Sequence, residues 1–160
     1  MSSLSRRALI ALPLALAACG FAPVYGPGGA GTVLQNNVTV AEPDTQEGYL
    51  LTRHLETRLG RAGAGRFALS TTIATTVEGL AINRQGDITR YNMLGAVEYA
   101  LRDLQTGEIV TSGTVDNFTG YSATGTTVAA LAAERDARER LMVILGDQIV
   151  ARLFATRLPA

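Results

Sequence analysis

Residues 67–121 read FALSTTIATTVEGLAINRQGDITRYNMLGAVEYALRDLQTGEIVTSGTVDNFTGY. Phe67, Leu69, Ile73 and Val77 share one face with Thr71 and Thr75, while Ala68, Ser70, Thr72, Ala74 and Glu78 take the other. A period of two is that of a strand with one buried face. Gln85-Gly86-Asp87 supplies a turn. The next run alternates again, with Tyr91, Met93, Val97, Tyr99 and Leu101 inward and Arg90, Asn92, Glu98 and Arg102 outward. Thr106-Gly107 turns the chain once more, and a third strand is expected from Ile109 through Val115 to about Tyr121. Three alternating segments joined by short turns predict an antiparallel meander.

On the N-terminal side, Val38-Thr39-Val40 reads as a short strand ended by Pro43. Asp44 is expected to cap the helix that follows, with Glu47 at capping-box spacing. Gly60 is its natural stop, and Leu51, Leu55, Leu59 and Ala62 form its apolar stripe. His54, the sole histidine, falls beside that stripe and reads as a boundary residue. On the C-terminal side, residues 122–127 are a polar break before a long helix whose buried line is Leu141, Leu145, Ile149 and Leu153, with Met142 and Phe154 alongside. Glu134–Arg138 and Asp136–Arg140 are spaced to pair along it. The order β-α-β-β-β-α predicts an α+β fold, a two-layer sandwich of a four-stranded, mostly antiparallel sheet with two helices on one face. One domain over residues 37–160 accounts for the pattern.

The first residues read as an address. Arg6 and Arg7 form a positive n-region, and residues 8–16 are apolar but for Pro13. That run is about half the length of a membrane-spanning helix and fits a signal peptide. It ends in Leu16-Ala17-Ala18-Cys19, a bacterial lipoprotein box. The single cysteine of the chain therefore sits where acylation would consume it. Residues 1–18 are expected to be removed, leaving Cys19 with an N-acyl chain and a diacylglycerol as the sole covalent additions. Ser5-Arg6-Arg7 also resembles a twin-arginine start, with general secretion the default. Gly20 offers no acidic retention signal, so the outer membrane, periplasmic face, is the expected location. Residues 19–36 read as a lipidated, glycine-rich tether. Gly26, Gly28 and Gly31 satisfy G-x-G-x-x-G there, without the strand and helix that a dinucleotide site requires.

Composition narrows the function. Lysine is absent, so the 14 cations are all arginine, balanced by 14 acids. That removes P-loop and Schiff-base chemistry. One His and one Cys exclude a structural zinc site, and a 6% aromatic content without Trp argues against stacking on nucleic acid. Gly120-Tyr121-Ser122-Ala123-Thr124-Gly125 carries one residue too many for a nucleophile elbow. A non-enzymatic binding protein without metal or nucleic acid is expected. Its best candidate surface is the first meander turn, where Arg84 and Arg90 flank Asn83, Gln85 and Asp87 beside Tyr91. Guanidinium groups fork well onto phosphates such as those of an anionic lipid headgroup.

Several stretches resemble one family. Cys19-Gly20-Phe21 with Pro23-Val24-Tyr25-Gly26 is similar to the mature start of the LptE lipopolysaccharide-assembly lipoproteins. The likeness continues through Tyr49-Leu50-Leu51-Thr52-Arg53, Arg90-Tyr91, Val97-Glu98-Tyr99, residues 118–121 and Ala132-Ala133-Glu134-Arg135-Asp136-Ala137. The resemblance implies a protein that plugs the outer-membrane β-barrel LptD, helps it assemble and contacts lipopolysaccharide through basic residues; with lysine absent that role falls to arginine, and Arg84 and Arg90 of the first meander turn are the nominees. The competing reading is a lipoprotein adaptor of another envelope machine, such as a peptidoglycan synthase activator or a secretion-pore pilot.

Overall fold

The computed structural model describes residues 23–159. Its elements are α1 (Ala30–Leu34), β1 (Val38–Val40), α2 (Gln46–Leu59), β2 (Phe67–Ile82), β3 (Ile88–Asp103), β4 (Ile109–Ser122) and α3 (Thr127–Ala155). The strands form one sheet in the order β1-β2-β3-β4. β1 runs parallel to β2, while β2–β3 and β3–β4 are antiparallel. The expected meander and sandwich are present, with a short extra helix ahead of them.

That helix corrects the tether. Leu34 is fully buried, and Asn36 N–H donates to the carbonyl of Leu59 at 2.7 Å. Tyr25 stacks edge-on against Phe154, ring centroids 5.6 Å apart. Glycine content had marked this stretch as unable to order itself. One leucine at the right distance from the sheet overrides that, because burying it stabilises by about 1.5–3 kcal/mol. The domain therefore begins ahead of residue 37. The signal peptide and Cys19 lie outside the described residues.

The helices form for local reasons. Thr45, not Asp44, caps α2, its hydroxyl accepting from Gly48 N–H at 3.0 Å. Glu47 consequently sits one place too early for a capping box and instead reaches Arg138. Gly60 ends α2 at φ 80°, which leaves Ala62 outside the helix and off its stripe. Thr126 caps α3 through Ala129 N–H at 3.2 Å.

Both long helices lie on the inward face of the meander. Leu51, Leu55 and Leu59 of α2 meet Leu141, Leu145, Ile149 and Leu153 of α3 and the sheet residues Phe67, Leu69, Met93, Val97, Leu101 and Val115 in one core. All the expected inward residues of β3 face it, with Tyr91 half-buried at its upper end. Thr119 Oγ1 donates to the carbonyl of Ala137 at 2.9 Å, pinning α3 to β4 inside the interface. At the lower end, buried Asp103 pairs with Arg66 at 2.8 Å and accepts from Gln105 N–H at 2.8 Å, which fixes the β3–β4 turn.

Candidate functional site at the hairpin arm

β2 and β3 are each 16 residues long, more than the helices cover. α2 begins beside Thr71, Thr72 and Ile73, and from residue 74 onward every residue of β2 is exposed. The β2–β3 hairpin thus projects as an arm. Along it Val77, Leu80, Ile82 and Ile88 are exposed, with Leu80 at 55% and Ile82 at 70%. Val128 and Leu131 at the start of α3 are exposed as well.

The tip is stiff because Asn83 organises it. Its side-chain oxygen accepts from Gln85 N–H at 3.0 Å and Asp87 N–H at 2.8 Å, and its amide nitrogen donates to Asp87 Oδ2 at 3.1 Å. Gly86, at φ 94°, takes the left-handed position that such a turn reserves for glycine. Arg84 is held out into solvent on this turn. Arg90 is exposed on β3 between Ala81 of β2 and Ser122 of β4. Among the described residues neither arginine has an acidic partner within 4.0 Å, whereas Arg53, Arg58, Arg61, Arg66, Arg138 and Arg140 all do. The two nominated cations therefore share one hairpin and are not committed to intramolecular pairs.

At the base of the arm the rings of Tyr91 and Tyr121 stack, centroids 5.3 Å apart and planes 14° from parallel. Burial pushes the Tyr121 phenol above its ordinary range, Glu134 and Tyr91 add to the rise, and Arg138 opposes it. Arg138 ties the two helices together. Its Nη2 donates to Glu134 Oε1 at 2.8 Å, and its Nε lies 2.9 Å from Glu47 Oε1 at an angle that falls short of a hydrogen bond. The charged segment of residues 134–140 is thus partly structural, with Arg140 paired to Asp136 and donating to the carbonyl of Gly120 at 3.2 Å.

His54 sits between the helices, its Nε2 3.0 Å from Asp147 Oδ1. Arg58 contacts the same carboxylate at 3.5 Å. That contact joins the helices far from the arm. Among the described residues no helix is long and apolar enough to cross a membrane.

The exposed aliphatic residues of the arm escaped the sequence reading. Their signal lies in the break of alternation at Glu78-Gly79, where Leu80, Ala81 and Ile82 follow with no polar partner positions. The register shifts there, between Gly79 and Ile82, and releases these side chains from the strand's regular faces.

The LptE family model, described as lipopolysaccharide-assembly, matches residues 35–153, most of the chain. No protein of curated function matches the sequence. Among solved structures, a Caulobacter crescentus CB15 protein described as a lipoprotein superposes with a TM-score of 0.64 at 21% identity, covering 78% of this chain and 92% of its own. Rare lipoprotein B of Shewanella oneidensis gives a TM-score of 0.56 at 13% identity, over 73% and 91% of the two chains. A minor lipoprotein of Acinetobacter baumannii gives 0.55 at 16% identity, over 76% and 91%. At these identities the three structures establish a shared fold.

Proposed function

This chain belongs to the LptE lipopolysaccharide-assembly family, and from that premise we propose that it is an outer-membrane lipoprotein, anchored through Cys19 on the periplasmic side, that seats in an LptD-type β-barrel, helps the barrel assemble and assists lipopolysaccharide to the cell surface. The observation that carries the lipid part is the arm: two arginines free of acidic partners stand beside four exposed aliphatic side chains. Lipopolysaccharide is a phosphorylated amphiphile, and the arm offers both halves of the match. Arg84 and Arg90 fork onto phosphate, each charge-assisted hydrogen bond contributing about 1.5–3 kcal/mol. Val77, Leu80, Ile82 and Ile88 supply apolar contact for acyl chains. Without Arg6 and Arg7 of the signal peptide the domain carries 12 arginines against 14 acids, and so small an excess suits the polar lumen of a large barrel. No covalent chemistry is required of it, and acylation at Cys19 supplies the membrane attachment.

The test is gentle extraction of the tagged full chain from envelopes, with a count of barrel and lipopolysaccharide per molecule. A stoichiometric LptD-type barrel is expected, and the Arg84→Ser/Arg90→Ser pair should lower the bound lipopolysaccharide severalfold without lowering the melting temperature. Unchanged lipopolysaccharide in the double variant removes the arm from the lipid path. Recovery with a cell-wall synthase or secretion pore in place of the barrel overturns the plug.

A further inference from the structure

β1 stops after three residues while β2 continues, so most of one edge of β2 has no neighbouring strand. Phe67 N–H donates to Asn37 and the Leu69 carbonyl accepts from Ala41, so odd-numbered residues of β2 turn their backbone groups toward that edge. Strand geometry alternates these groups, which places the N–H and C=O of Thr71, Ile73, Thr75 and Val77 along the open side. Among the described residues no side chain bonds to any of them.

Folded proteins ordinarily blunt such an edge with charge, proline, glycine or a side-chain cap. The β4 edge is treated in this way. It carries Gly113, Asp116, Asn117 and Gly120. Asn117 caps Phe118 N–H at 2.8 Å, and Arg140 caps the Gly120 carbonyl at 3.2 Å. Residues 71–77 of β2, TTIATTV, hold no charge, proline or glycine. Segments of that composition pair readily with other strands. A cleft of about 230 Å³ opens where β1 stops, bounded by Glu42, Asp44, Thr52 and Ile73. Glu42 and Asp44 are exposed, and Glu78 stands farther along β2. Residues 37–52 and 67–83 contain no cation to offset these acids.

We propose that the free edge of β2 receives an extended polypeptide segment bearing a basic side chain that enters the cleft between Glu42 and Asp44. Main-chain bonds to Thr71, Ile73, Thr75 and Val77 supply the pairing, as in other strand additions. The acids select the segment. The inference stands apart from the lipid reading of the arm, since it uses the backbone edge and not Arg84 or Arg90.

The probe is a nine-residue synthetic peptide alternating valine and threonine with an arginine at each end, compared with the same peptide ending in glutamates. Each is added to the full chain in mild detergent, and amide hydrogen exchange is followed over residues 70–78. The arginine-ended peptide should slow exchange there by about tenfold, and the glutamate-ended one should not. Thr75→Pro removes an edge N–H without touching the β3 ladder and should abolish the protection. Glu42→Gln/Asp44→Asn, which alters exposed side chains alone, should erase the difference between the two peptides. Protection by neither peptide, or equal protection by both, overturns the proposal. Concentration-dependent protection without peptide assigns the edge to a second copy of this chain and overturns it too.

Discussion

Asp103 shows how one side chain holds a whole turn. It is fully buried, and Arg66 reaches it with both Nε, at 3.0 Å, and Nη2, at 2.8 Å, while the Arg66 guanidinium also lies 5.2 Å from the centre of the Phe67 ring. The hydrogen bonds from Arg66 hold the Asp103 carboxyl below its ordinary range; burial opposes them, and the Gln105 N–H adds to the lowering. A carboxylate whose folded pKa is depressed stabilises the fold above its unfolded value, near 3.9. That contribution is lost as pH falls through the lower, folded value. Asp103→Asn should therefore lower the unfolding midpoint by several degrees at pH 7, and the gap from wild type should close as pH drops below about 4. Thermal melts of both proteins across that range check it, and a gap independent of pH contradicts the charged pair. The sequence announced the Thr106-Gly107 turn but not this pair. Asp103 sits in an inward register position, which by pattern belongs to an apolar side chain. Its partner Arg66 is 37 residues away, in the loop just before a different strand.

At the scale of elements, periodicity was a good guide wherever a segment packs on the core along its whole length. α2, α3 and the inward faces of β3 and of β2 up to Ile73 were legible because each repeats its apolar spacing over several turns or pleats. α1 was not, since five residues at the end of a glycine-rich run carry no period. Its contribution rests on Leu34, which reaches the core beside Val38 and Leu59. Leu34→Ala should cost about 2–5 kcal/mol, the range for emptying a buried leucine site. Urea unfolding measures it directly. A change near zero would return residues 23–36 to the role of a tether. The arm is the converse case. Alternation correctly made β2 and β3 strands, but a period of two cannot say where the covering helices end. The nomination of Arg84 and Arg90 rested on their place at a turn. The aliphatic surface that gives them company came from the register shift between Gly79 and Ile82, marked in the sequence only by the break of alternation at Glu78-Gly79.

For the whole molecule, the fold class and the order of elements followed from the meander, the place of β1 beside β2 came from the structure, and the proposed partner came from the resemblance. Composition excluded chemistries and could not name a barrel. The proposed attachment to the membrane is the piece most easily tested. Cys19→Ala should move the protein from the membrane fraction to the soluble one, read by fractionation and by the loss of acyl mass from the intact chain. Persistence in the membrane would assign the attachment to the folded domain. The two ends of the molecule also stand in a fixed relation. The chain enters the domain at Tyr25 against Phe154, near the C-terminus of α3, while the 83–87 turn lies beyond the other end of that helix, where Ser122 pairs with Arg90. α3 has 29 residues, which at 1.5 Å each make a rigid strut of about 43 Å. With the acyl anchor proposed at Cys19, a base at the membrane and a distant tip would make the domain a spacer of set height. Residues 23–36 are packed into the domain through Tyr25 and Leu34, so they add no slack to that height.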